Sequence, residues 1–215
     1  MKKSDENKKI KEEKMLKTAF SLFTKKGFKE TSIQDIVDNA GVAKGTFYLY
    51  FKDKYDIQNR LIERKSQKLF SDAMKALKKA DIQNFEDQII FIIEHVIDKL
   101  NKNHLLLKFI SKNLSLGVYN KAITKITDLT DSNEDTIYTL FMEGIKKNNI
   151  KLKNPEVTLF MIIELTSSTT FNSILYNMPL GIEEFKPILF EEIRKLLKWE
   201  STALSHIKMA NSIRH

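Results

Sequence analysis

The chain has no cysteine, and only three prolines and six glycines among its 215 residues. Without thiols it forms neither a disulfide framework nor a thiolate metal site, which suits a reducing compartment. Long apolar runs are missing too. Those near Ile89–Ile93 and Val157–Leu165 are about half of the roughly 20 apolar residues that span a bilayer. The opening segment, MKKSDENKKIKEEK, is basic with no apolar stretch behind it, unlike a secretory signal. The expectation is a soluble cytoplasmic protein with no membrane partner. The four histidines (His95, His104, His206, His215) are scattered. There is no His-x-x-x-His pair, no phosphate-cradling glycine loop and no Gly-x-Ser-x-Gly turn, so no enzyme, metal or cofactor is expected.

What is present is a chain able to bury a core, 42% hydrophobic and 30% charged, with a formal net charge of +8. The charge is uneven. Residues 1–70 hold 17 Lys and Arg against 10 Asp and Glu, while the remaining 145 hold 19 against 18. A basic first third on a near-neutral body fits a polyanion partner. A solvated lysine-rich surface gives the same count, so charge alone does not choose between them.

With few breakers and little β-branched alternation, the chain reads as all-α. Leu16, Ala19, Phe20 and Phe23 recur at helical spacing in a first helix over about Glu6–Lys26, and Gly27 stands where a left-handed cap is expected. Thr31 or Ser32 caps a second helix that stops at Gly41, and a third follows over about Ala43–Phe51. A fourth, from Asp53 or Lys54 to about Lys79, keeps Ile57, Leu61, Leu69, Ala73 and Leu77 on one stripe. Further helices are expected over about Phe85–Lys102, His104–Asn113, Leu116–Thr127, Asn133–Asn148, Pro155–Tyr176 and Ile182–Lys198. The resulting division is a helix-turn-helix domain over 1–56, a helical regulatory and dimerisation domain over 57–200, and a polar tail over 201–215.

Two short helices joined by a tight glycine-containing turn have the spacing of a helix-turn-helix. Ile33, Ile36, Val37 and Ala40 form the apolar face of the first, and Val42, Phe47 and Phe51 that of the second. At 100° per residue from Phe47, the second helix turns Gly45, Thr46, Tyr48 and Leu49 outward, with Lys44 and Tyr50 on the flanks. A cation, a hydroxyl, two phenols and a bare backbone position suit phosphates and base edges. Plain packing of Tyr48 and Tyr50, and plain solvation of Lys44 and Lys54, are the competing readings.

The run Gly-Val-Ala-Lys-Gly-Thr-Phe-Tyr-Leu-Tyr-Phe-Lys-Asp-Lys, after a Thr-Ser-Ile helix start and an Ile-Val pair, resembles the DNA-binding domain of the TetR/AcrR family of transcriptional repressors. The resemblance covers about residues 10–60. It implies that Thr31 or Ser32 holds a phosphate and that Lys44 and Thr46 approach bases. Tyr48 and Tyr50 would contact phosphates or base edges, and Lys54 would hold backbone phosphate from the start of the fourth helix. Ala43 stands where many members have serine, and Leu49 where histidine or an aromatic is frequent; Leu49 could meet a thymine methyl.

By the same resemblance the body dimerises and holds a small-molecule inducer, so that two heads bind a palindromic operator. The last two long helices are the dimerisation candidates. Phe91, His95, Phe109, Tyr138, Phe141, Met142 and Glu164 are the candidate pocket residues, Glu164 as a partner for a cationic effector. The competing reading is a helix-turn-helix protein controlled by protein partners without an inducer.

Overall fold

The computed structural model describes residues 3–110 and 136–198, with side chains from Glu6 onward. Among these residues every regular element is a helix: α1 Lys3–Lys25, α2 Ile33–Ala40, α3 Lys44–Tyr48, α4 Lys54–Ala80, α5 Phe85–Asn101, α6 His104–Ile110, α7 Ile137–Lys147, α8 Pro155–Tyr176 and α9 Ile182–Leu197. The helix expected over Leu116–Thr127, the first turn of the one expected from Asn133, the end of the one expected to Asn113, His206 and His215, and the 201–215 tail lie outside the described residues.

Most boundaries follow from caps. Ser32 begins α2 with a capping box: its hydroxyl accepts from the Asp35 N–H while the Asp35 carboxylate accepts from the Ser32 N–H. Gly41 ends α2 in the left-handed region (φ 61°), and Gly27 leaves α1 with φ 94°. The Asp53 carboxylate accepts from the N–H groups of Tyr55 and Asp56 at 2.7 and 2.8 Å, opening α4. The Asn84 side chain does the same for α5. One boundary differs. Expected to reach Phe51, α3 ends at Tyr48, because Leu49 and Tyr50 bond three residues back, to Thr46 and Phe47, and tighten the last turn.

Two hydrophobic cores result. The head core joins Met15, Leu16, Ala19 and Phe23 of α1 to Ile36, Val37 and Ala40 of α2, to Phe47 and Phe51, and to Ile57 and Leu61 of α4. The body core takes Leu69, Ala73 and Leu77 from further along α4 and packs them with α5 to α9. Helix α4 therefore serves both, and the division near residue 56 remains a proposal, since α4 continues without a break through it. Glu12 and Glu13 of α1 pair with Arg60 and Arg64 of α4. Phe109 of α6 lays its ring edge-on against Phe20 (5.1 Å) and stacks on Phe23 (6.4 Å), joining the body to α1. Helix α9 is tied to α5 by Lys186 with Asp98 (2.8 Å) and Arg194 with Asp87 (2.6 Å).

Gly144 marks a close helix contact: a Cβ there would overlap the ring of Phe85, itself buried against Phe141 at 5.9 Å. Gly144→Ala is expected to cost about 1–3 kcal/mol by overpacking, read from urea denaturation. The head should be unaffected, so a variant as stable as the wild type would show the α5–α7 contact to be loose.

Candidate nucleic-acid interface

The helix-turn-helix residues expected at the surface divide into two groups. Lys44 and Gly45 are exposed at the start of α3 and Thr46 is half-buried. Tyr48 is 53% exposed and Leu49 82%. Tyr50 is half-buried, its ring 6.3 Å from that of Phe51 and packed on the head core. Phe47, wholly buried, anchors the segment, meeting Tyr48 edge-on at 5.5 Å and Phe51 at 5.3 Å. Lys44, Gly45, Tyr48 and Leu49 thus form one outward face on a rigid support. An exposed leucine beside an exposed phenol makes this face apolar as well as polar, which suits a groove floor with methyl groups and base edges.

The second group has its polar atoms engaged within the protein. Thr31 is 1% exposed and its hydroxyl donates to the Gly27 carbonyl at 2.7 Å. That side chain closes the α1–α2 turn and presents nothing to a phosphate. Ser32 is exposed, but its hydroxyl is engaged with Asp35, donating to the carboxylate at 2.8 Å. Lys54 is the larger correction. Its ammonium donates to the carbonyls of Phe28 (2.8 Å), Thr31 (2.8 Å) and Lys29 (3.3 Å), and sits 4.4 Å from the centre of the Phe28 ring. An ammonium has three donors, and all three are used. At the first position of α4 a cation is disfavoured by the helix dipole. The carbonyls of the α1–α2 turn offset this, and the sequence offers no sign of them because they come from the backbone 23 to 26 residues away. Sequence reasoning also passed over Asp35, although Ser-x-x-Asp before an apolar run is a legible capping signal.

The pocket residues expected in the body do not converge. A cavity of about 30 Å³ lies between α4, α5, α7 and α8, lined by Phe70, Ile89, Val96, Ile137, Leu159 and Thr166 among others, and by none of the seven expected residues. Phe91 and His95 stack on each other (6.3 Å) on a half-buried flank of α5, with Phe91 packed on the rim of the body core. Phe109 is used by α1, Phe141 is core against Phe85, and Met142 packs on the rim of the body core. The Tyr138 hydroxyl donates to Glu156 at 2.5 Å, and that bond pushes its pKa up to about 12. Glu164 falls on the outer face of α8 with Val157, Phe160 and Met161, half-buried beside these exposed residues.

Two outcomes test this geometry. Lys54→Met is expected to lower stability by about 1–3 kcal/mol, since it takes a charged donor from three carbonyls, while the salt dependence of DNA binding stays as in the wild type. Lys44→Ala should do the reverse, leaving stability alone and reducing the salt slope by about 0.9. The second outcome concerns pH. Hydrogen bonds from the Ser32 N–H and hydroxyl, then Lys26, hold the Asp35 carboxyl down to about 2 from 3.8. A depressed folded pKa stabilises above the unfolded value and is lost as pH falls through the folded one. The melting temperature of Asp35→Asn should therefore lie below the wild type at neutral pH, with the gap closing between about pH 4 and pH 2.

The sequence pattern described as bacterial regulatory proteins, tetR family, matches residues 15–61, which contain α2, α3 and most of the head core. The HTH-type transcriptional regulator YvdT of Bacillus subtilis (strain 168) is 30% identical over 163 residues, covering 75% of this chain and 77% of that one. YerO of the same organism, also an HTH-type transcriptional regulator, is 52% identical over 44 residues, only 20% of this chain and 15% of its own. The crystal structure of the transcriptional regulator FadR from Bacillus subtilis in complex with stearoyl-CoA superposes with a TM-score of 0.58 at 18% identity, covering 86% of this chain and 96% of that one. These likenesses join a matched head to a body of the same fold: the chain belongs to the TetR family of bacterial regulatory proteins, DNA-binding transcriptional regulators and not enzymes.

Proposed function

We propose that the protein is a repressor that binds a palindromic operator as a homodimer and releases it when an apolar small molecule enters the body. The observation that carries the reading is the outward face of α3, where Lys44, Gly45, Tyr48 and Leu49 stand exposed on a helix anchored by the buried Phe47. Ser32, Thr46 and Tyr50 flank that face; Thr31 and Lys54 support it from behind.

The dimer rests on α8. One side packs in the body core through Leu159, Ile162, Ile163 and Thr166, and the other exposes Val157, Phe160 and Met161. A helix apolar all round belongs in a core, and an exposed apolar stripe of this kind marks an interface. Ile188 of α9 is exposed as well, so a four-helix arrangement of two α8 and two α9 helices covers these groups.

The effector site is the cavity between α4, α5, α7 and α8. Its lining is apolar except for Thr166, whose buried hydroxyl has no hydrogen-bond partner. This fits a molecule with an apolar chain and one polar atom, and the stearoyl-CoA held by the FadR neighbour belongs to that class. At about 30 Å³ the cavity holds roughly one water, which is the observation favouring the second reading, control by a protein partner. A ligand enters only if the surrounding helices part, and that movement along α4 would reset the spacing of the heads.

Selection of binding sites from random DNA with the purified protein should return a palindrome, and Lys44→Ala with Tyr48→Ala should abolish its gel shift. Light scattering at micromolar concentration should give twice the chain mass; a monomer removes the dimer. In thermal-shift screening, a long-chain acyl compound should both raise the melting temperature and release DNA. If none does, control by a protein partner is the better reading.

A further inference from the structure

Helix α1 is longer than its packing requires. Its first buried side chain is Met15, yet the helix begins at Lys3, and Glu6 to Lys11 are all exposed, including Ile10 at 58%. More than two turns project past the head core. On this projection Lys8, Lys11 and Lys14 recur at three-residue spacing and form one ridge. Of the acidic residues near it, Glu12 and Glu13 are taken by Arg60 and Arg64 of α4, which leaves Asp5 and Glu6 at its outer end. The ridge also has a direction. The Lys14 ammonium lies 3.4 Å from where a Cβ on Gly41 would stand, and Gly41 is the turn that leads into α3. The ridge therefore runs outward from the turn that delivers the reading helix.

We infer that Lys8, Lys11 and Lys14 form a second DNA-contacting surface, which grips the phosphate backbone flanking the sequence read by α3. The inference rests on the reading of α3 as the recognition helix. Six residues of helix span about 9 Å, and phosphates on one strand are spaced about 3.4 Å along the duplex axis. The ridge therefore matches roughly three phosphates of one strand. Contacts of this kind position the protein and carry no base preference. They also account for part of the basic excess in the first third of the chain, which the face of α3, with one lysine, leaves unexplained.

The test compares the wild type with a Lys8→Gln, Lys11→Gln, Lys14→Gln variant on duplexes carrying the selected site, one trimmed to that site and one with flanks. On the flanked duplex the triple variant should bind about 10- to 100-fold more weakly at low salt, with a salt slope smaller by about 2 to 3. Its deficit should shrink on the trimmed duplex, and its selected sequence should not change. A body control with the same loss of charge, Lys75→Gln, Lys79→Gln, Lys146→Gln, should bind as the wild type does. Equal slopes for the triple variant and the wild type overturn the inference, as does an equal loss in the body control. If the triple variant melts lower, Lys11→Gln alone decides, with an expected slope change of about 0.9. A wild type indifferent to salt and sequence overturns the reading of α3 along with the ridge. A wild type that binds beside an unaffected triple variant overturns the ridge alone.

Discussion

Helix α4 lies in both hydrophobic cores, and the rest of the architecture depends on that sharing. Its first turns supply Ile57 and Leu61 to the head, and its later turns supply Leu69, Ala73 and Leu77 to the body. A 27-residue helix is roughly 40 Å long and does not bend without a cause. A tilt at one end is therefore felt at the other. Three contacts reinforce the coupling: the Glu12 and Glu13 pairs with Arg60 and Arg64, the cation of Lys65 over the Phe20 ring at 4.2 Å, and the Phe109 ring of α6 against Phe20 and Phe23. Of these, the aromatic contact is the one between body and head that salt does not screen.

The head separates a charge that faces outward from one that is bound inward. Lys44 is exposed, while Lys54, ten residues later, spends its ammonium on three backbone carbonyls. Both are lysines at the first position of a helix, and their surroundings are opposite. The difference comes from the α1–α2 turn, where Gly27 and the buried Thr31 fold the chain so that its carbonyls converge. A reading surface made by so short a helix needs such a brace, because α3 has only five residues and cannot hold its own orientation.

The fold was legible because its signals are local. Caps such as Ser32, Gly41, Asp53 and Pro155 and the periodic stripe of α4 mark helices directly, and α8 starts and ends where its sequence says. The outward face of α3 was legible for the same reason, as an arc of one helix. The seven expected pocket residues were not, because membership of a pocket is decided between helices. Phe109 and Phe141 have the composition of lining residues, but their partners, Phe23 and Phe85, lie 86 and 56 residues away in sequence. The cavity between α4, α5, α7 and α8 is lined by apolar residues that look like any core, and only the orphaned hydroxyl of Thr166 sets them apart.

A cavity this small also bears on how a signal would be measured. When a site must open before it is filled, the apparent affinity of an effector is its intrinsic affinity multiplied by the fraction of open molecules. Were an effector to bind here, the dose at which the regulator responds would be set largely by the packing of Phe70, Ile89 and Leu159 against one another. Trimming a methyl group there would raise sensitivity to every effector alike, without altering which one is preferred. Response threshold and chemical selectivity would be separate traits of one core, free to drift independently as the sequence changes.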